Sequence, residues 1–286
     1  MHAMGCRASS DGLCLRPADL APGDGVSARA ELSGLRFHRV ASPRDPAADT
    51  AYEALAREFG PRGEMEAREV IEARLRRTAA GDGELLYEMI LVEDESGTAA
   101  VRDHTAVLVR GAHTARAVVH LSHVWVQPGL RGQGLAGWLR AVPLEAARRL
   151  ARRAGAERLE ALTLAAEMEH PDPPTGDRVG RLRAYGRAGF LAVDPVAVPY
   201  HQPNFRPQEA IDAGAGCPPL PMRLVIRRVG REQERELPGA EVRALVDALY
   251  HTYAADLRAE DIHAVEATLT RYPADHERVA LVDPTT

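Results

Sequence analysis

From Leu35 onward the apolar residues recur at either a two-residue or a three-to-four-residue spacing, and each change of spacing marks an element. Leu35 to Val40 alternates and predicts a strand. Tyr52, Leu55 and Phe59 then fall on one helical face, with Asp49 as the predicted cap, and Met65, Val70, Ile71 and Leu75 mark a second helix. Leu85 to Val92 reads as a strand closed by the hairpin-like turn Glu93 to Gly97. Strands over Ala99 to Val109 and Ala117 to Val126 follow, separated by the turn Gly111-Ala112-His113. A long helix is predicted from Gly134 to Ala154, with Leu135, Leu139, Leu144 and Leu150 as its stripe, and Pro143 inside it predicts a kink or a break. Next come a strand over Leu159 to Ala165 and a short helix from Asp177 to Ala188, stopped by Gly189. Strands at Phe190 to Val198 and Met222 to Arg228 flank a proline-rich excursion. Helical spacing returns over Glu241 to Leu257 and again up to Arg271. This order predicts an α/β (α+β) fold, a mixed sheet with helices on both faces, and not a regular βα alternation.

The same pattern sets the predicted domains. Residues 1–33 lack any period and are rich in Ala, Gly, Ser, Asp and Pro, so they read as a mobile N-terminal extension. Residues 34–232 form the main domain, and 233–286 a C-terminal helical extension packed on it. Two uses stay open for that extension: buttressing the sheet, or making a homodimer contact.

Composition narrows the chemistry. The 286 residues are 45% hydrophobic and 27% charged, which is ordinary for a globular chain. The net charge of -5 gives no basic field for nucleic acid or an anionic membrane, and mildly favours an amine-bearing substrate. All 36 basic residues are arginine, which excludes Schiff-base, general-base and P-loop lysines. Cys6, Cys14 and Cys217 are odd in number and form no CxxC pair, so a reduced, cytoplasmic protein is expected. No apolar run has the length of a membrane span, and no secretory signal is read at the N-terminus.

The most informative stretch is Arg131-Gly132-Gln133-Gly134-Leu135-Ala136-Gly137, where a strand stops in a glycine-rich turn and opens a helix. Such a junction leaves several backbone N–H groups unpaired beside the positive end of the helix dipole, and its natural ligand is a phosphate or diphosphate. Gly132 to Gly137 matches G-x-G-x-x-G, so an NAD(P) oxidoreductase is one reading. Against it, four strands precede the turn on connections too short for parallel crossovers, and too little βα alternation follows Glu157 and Glu160, the acids near the required spacing.

The other reading uses the arginine as well. Val124 to Ala136 resembles the acyl-CoA diphosphate motif of the GCN5-related N-acetyltransferase superfamily, Gln/Arg-x-x-Gly-x-Gly/Ala, met by Arg131, Gly134 and Ala136. Arg183 to Phe190 resembles the family's short helix ending in Tyr-x-x-x-Gly-Phe. The two matches stand in the family's order with a helix and a strand between them, and the element order from Leu35 to Arg228 agrees. One departure is Asp177-Arg178-Val179, where the family often has an asparagine contacting pantetheine; the only asparagine here is Asn204.

The resemblance implies a mostly antiparallel mixed sheet, splayed at the cofactor strand, and transfer of an acetyl group from acetyl-CoA to a primary amine within a ternary complex. It implies no metal. Backbone N–H groups from Arg131 through Gly132, Gln133, Gly134, Leu135 and Ala136 to Gly137 would cradle the diphosphate, with glycine where a Cβ would block approach. Free backbone at Trp125 and Val126 would pair with pantetheine. Tyr185 would protonate the leaving thiolate. The acceptor is a small-molecule amine, with a protein amine as the other option. A non-catalytic acyl-CoA-binding module is the alternative use of the same fold.

A base must take the acceptor's proton, and an imidazole has a suitable pKa. His120 and His123 are the candidates on the cofactor strand, set on opposite faces unless a bulge intervenes. Glu167-Met168-Glu169-His170-Pro171-Asp172 fits no zinc spacing and reads as a solvated loop, with ammonium binding or base catalysis as its sharper use. Tyr200-His201-Gln202-Pro203 is balanced between a polar turn and a wall of the acceptor pocket.

Overall fold

The predicted spacings appear as elements, with departures at both ends of the chain, at Asp49 and over Phe190 to Val198. The computed structural model describes residues 7–8, 13–15, 17–27, 34–81, 83–110, 115–156, 158–171, 176–204 and 219–286. Cys6, Cys217, Asp172, Glu157 and the turn at 111–113 lie outside them. The elements are β1 (Arg36–Val40), α1 (Ala48–Phe59), α2 (Arg68–Ala80), β2 (Leu85–Asp94), β3 (Gly97–Arg110) and β4 (Ala115–Val126). They continue with α3 (Leu135–Ala141), α4 (Pro143–Arg153), β5 (Leu159–Met168), α5 (Gly176–Arg187) and β6 (Leu191–Val193). The chain finishes with β7 (Arg223–Arg228), β8 (Glu236–Pro238), α6 (Gly239–Ala254), α7 (Ala259–Glu266) and β9 (Arg278–Val282). The class is mixed α/β with mostly antiparallel pairing; β4 and β5 run parallel.

The chain divides into two compact units, Met1–Ala106 with Leu121–Glu157, and Val107–His120 with Arg158–Thr286. Both units are discontinuous in sequence. In the first unit the strands neighbour one another in the order β4-β3-β2-β1. β2 is buried on both faces and therefore reads as a continuous apolar run. Its alternation still sorts the side chains: Tyr87, Met89 and Leu91 join α1 and α2 through Ala51, Leu55, Ile71 and Leu75. Ile90 and Val92 join the other layer, with Leu135, Trp138 and Leu139 of α3. Helices thus cover both faces of this unit's sheet.

Leu13 is 2% exposed and belongs to that second layer, with Leu20 packed against it. Asp19 makes a bidentate pair with Arg148, at 2.6 and 2.7 Å, and Asp24 one with Arg140, at 2.6 and 3.1 Å. The described part of the expected mobile extension is therefore interior structure. Its composition hid this because only four or five side chains carry the contact.

In the second unit the order is β8-β9-β6-β7-β5-β4. β7 is central, paired antiparallel to β5 over Arg223 to Arg228 and to β6 at Val225 and Ile226. α6 buries Val242, Leu245, Val246, Leu249, Tyr250 and Tyr253, one stripe at helical spacing. The strand expected over Phe190 to Val198 stops at Val193, because Asp194 accepts the Val196 N–H on its side chain and the Val198 N–H on its carbonyl, an Asx-type turn. β8 and β9 were not expected; each is five residues or fewer. Asp49 is not the cap of α1: Ala47 holds that position without a side-chain bond, and Asp49 pairs with Arg68 at 2.5 Å.

Candidate functional site

β4 is where the sequence-predicted chemistry concentrates. Its parallel register with β5 runs from Ala115 to His120, which pairs with Ala165, and ends there. β4 itself continues six residues further, from Leu121 to Val126. That stretch is the edge of the first unit's sheet, and Ser122 to Val126 are half-buried where the preceding residues are buried. Among the described residues no strand pairs with its outer side; of its backbone groups, the His123 N–H donates to Asp103 and the Val126 carbonyl accepts from Arg131. Its last bond to β3 is the Gln127 N–H to the Ala99 carbonyl, 2.9 Å.

The turn follows at once. Pro128–Leu130 makes one 3-10 turn, and Gly132 and Gly134 take left-handed φ values of 77° and 86°. Gly134 is the N-cap of α3 and has no side chain to satisfy the N–H groups of the first turn. An added Cβ at Gly132 would meet nothing within 4 Å, so glycine is needed there for its φ and not for space. Gly137 is different: a Cβ there would lie 3.0 Å from the Cβ of Asp24. Its smallness seats the N-terminal segment, and its N–H bonds the Gly134 carbonyl at 3.0 Å. Arg131 is exposed and lends Nε to the Val126 carbonyl at 3.0 Å, holding its charge over the turn. Gln133 is spent on the Gly129 carbonyl. The expected break at Pro143 separates α3 from α4 at Val142.

Trp125 and α1 enclose a cavity of about 290 Å³, with Thr50, Glu53, Arg57, Glu58 and Thr98 in its lining. All of it lies in the first unit.

The two histidines have different fates. His123 is tied on every side: Nδ1 lies 3.1 Å from both Asp103 oxygens, Nε2 lies 2.7 Å from the Glu64 carbonyl, and its backbone N–H donates to Asp103 at 2.6 Å. Burial alone would lower its pKa; the Asp103 carboxylate outweighs burial and raises it to about 9. Burial likewise opposes the charge on Asp103, but His123 and its bonds hold that carboxyl far below its ordinary range. His123 is thus an imidazolium with no nitrogen to offer.

His120, in the second unit, is held by one nitrogen. Nε2 lies 3.1 Å from Glu167 Oε2, and the ring is 5.6 Å from that of Tyr253, edge-on. Among the described residues Nδ1 has no hydrogen-bond partner, and it is not one of the fully buried polar atoms that lack one. Glu167 is on β5 with its side chain 3% exposed, so the expected solvated loop begins later, at Glu169, which pairs with Arg178 and Arg181. Sequence reading placed Glu167 in a loop, with ammonium binding or base catalysis as its sharper use, left Tyr200 balanced between a polar turn and a pocket wall, and did not single out Tyr253.

Tyr185 lies in α5, 7% exposed. The helix closes in a Schellman motif: the Phe190 N–H bonds the Tyr185 carbonyl at 3.1 Å, the Gly189 N–H bonds the Gly186 carbonyl at 3.0 Å, and Gly189 has φ 79°. The Tyr185 and Phe190 rings make the accompanying contact, 4.8 Å apart. The Tyr-x-x-x-Gly-Phe spacing thus has a backbone cause of its own. Among the described residues no cluster fit to hold a metal occurs, and no helix is long and apolar enough to cross a membrane.

No family profile matches the chain, and no curated protein does. Solved structures do. One is the GCN5-related glucosamine N-acetyltransferase region of a fungal multi-domain GH3 β-N-acetylglucosaminidase, at TM-score 0.37 and 16% identity over 56% of this chain and 17% of that one. A second is an aminoglycoside acetyltransferase from an uncultured soil metagenomic sample, at TM-score 0.36 and 10% identity over 55% of this chain and 90% of that one. A third is an acetyltransferase from Thermus thermophilus, at TM-score 0.33 and 17% identity over 68% and 96%.

Proposed function

We propose that this chain is an acyl-CoA-dependent N-acyltransferase that moves an acetyl group from acetyl-CoA to a primary amine. One observation carries the reading: β4 loses its β5 partner at His120, keeps an open edge to Val126, and then enters a glycine turn that caps a helix. An extended pantetheine arm matches the open edge, and a diphosphate matches the turn. The N–H groups from Gly132 to Ala136 supply the dipoles, those of Arg131 and Gly137 being bonded to the Pro128 and Gly134 carbonyls, and Arg131 adds a full charge.

Transfer is direct. The amine lone pair attacks the thioester carbonyl carbon, the C–N bond forms, and the C–S bond breaks. His120 takes the proton from nitrogen, since its Nδ1 is uncommitted and His123 has no nitrogen left. Tyr185 gives a proton to the departing thiolate, the part the family resemblance assigns it.

Release of free CoA thiol is the test, run with a panel of small amines. Turnover with at least one amine is expected. Tyr185→Phe keeps the ring on Phe190, so it is expected to cut kcat about tenfold to a hundredfold while leaving CoA affinity within about twofold. CoA binding without thiol release for any amine would instead make the chain a binding module.

A further inference from the structure

The second unit holds a polar cluster that the reaction above does not account for. His120 pairs with Ala165 on β5, and Glu167 stands two residues further on the same face, so the register itself brings carboxylate to imidazole. Glu167 accepts on Oε1 from the Tyr200 hydroxyl. On Oε2 it accepts from Gln202 and, at 2.6 Å, from the Tyr253 hydroxyl, besides its contact with His120. Three of these four donors crowd Oε2 and one is on Oε1, so the carboxylate is held as the common acceptor of the cluster. Burial opposes its charge, but His120 and the bonds from His120, Tyr200 and Tyr253 outweigh that and lower its pKa.

Two of the partners are fixed by the C-terminal helix. Tyr253 lies in the last turn of α6, and Tyr250, one turn earlier, donates to the His201 carbonyl at 2.9 Å and stacks on Tyr200 at 5.7 Å. The segment from Tyr200 to Gln202 is held between α6 and β5 by these contacts. The hydroxyl of Tyr253 thus reaches Glu167 while its ring edge meets the imidazole.

We propose that Glu167 and Tyr253 are positioning residues: they fix the proton of neutral His120 on Nε2 and so leave Nδ1 as the nitrogen that takes the acceptor's proton. The role rests on the acyltransferase reading; the tautomer does not. A histidine's tautomer is set by the bond its other nitrogen makes, and here that bond goes to an anion. α6 then belongs to the catalytic apparatus and not merely to a supporting extension. The titratable groups facing the pair are Tyr200, Tyr250 and Tyr253, with the Gln202 amide as the remaining donor.

Long-range proton–nitrogen NMR of histidine-labelled full-length protein tests this without substrate. The neutral His120 ring is expected to carry its proton on Nε2. Glu167→Gln replaces the anion by an amide that donates as well as accepts, so the Nε2–H form is expected to lose at least about half of its share of the neutral ring. Tyr253→Phe frees the carboxylate from one donor and the ring from its edge contact, so the tautomer ratio and the Nε2 proton shift are expected to move, with kcat falling and KM for acetyl-CoA staying within about twofold. A wild-type ring protonated on Nδ1, or a tautomer ratio that neither variant moves, overturns the proposal. Loss of thiol release in every amine assay, with the NMR result intact, would instead overturn the acyltransferase reading.

Discussion

Asp103 and His123 show what a residue's partners add to its identity. The sequence places His120 and His123 on one strand but says nothing of partners 20 to 59 positions away. With those partners, His123 becomes a buried cation with a calculable effect on stability. Its folded pKa of about 9 exceeds its ordinary 6.5, so its contribution is complete below pH 6.5 and is lost as pH rises through 9. Asp103 is depressed, so its contribution is present above its ordinary 3.8 and is lost as pH falls below that value. Thermal melts should therefore show a plateau between these limits and an alkaline decline. His123→Gln should abolish the alkaline decline and cost about 3 kcal/mol at pH 6 by stranding the Asp103 charge; an unchanged alkaline slope would contradict the assignment. Arg102 is the opposite case. It is 1% exposed with Nε and Nη2 unpartnered, so Arg102→Met should be neutral or stabilise by about 1–3 kcal/mol in chemical denaturation. A loss of similar size would show that the guanidinium has a partner.

Among elements, the strand–turn–helix at β4 and α3 was legible because its signals are local: an alternating run, glycines at fixed offsets, a proline inside the helix. The end of the β4–β5 register was not, since it depends on Ala166 to Met168 of β5 being held by β7 alone. The glycines also divide by cause in a way spacing could not show. Gly134→Ala puts a Cβ at φ 86° and should cost about 1–2 kcal/mol, with weaker acetyl-CoA binding, because the cap geometry aims the turn's amides. Gly137→Ala instead pushes on Asp24, and Asp24→Ala removes the bidentate carboxylate from Arg140, which is 8% exposed. The latter should lower stability by about 3 kcal/mol, and equal melting of Asp24→Ala and wild type would remove the segment from the fold's interior. Tyr185 and Gly189 were legible as a pair, but spacing alone did not show that a helix C-cap suffices to explain them.

At the scale of the whole chain, fold class came through composition and element order, while organisation did not. The unit boundaries cut through β3 and β4, where no loop, proline or change of charge announces them. Residues near both ends enter the two interiors through single contacts, Leu13, Asp19 and Asp24 in one unit and Tyr250 and Tyr253 in the other. Isothermal titration calorimetry with CoA, pantetheine and NADH, on wild type and Gly134→Ala, tests most directly whether the amides at the head of α3 hold a diphosphate of coenzyme A. The expected result is CoA binding that weakens at least tenfold for pantetheine and for Gly134→Ala, and no heat from NADH. Binding of NADH without CoA, or CoA binding indifferent to both the diphosphate and Gly134, would contradict it.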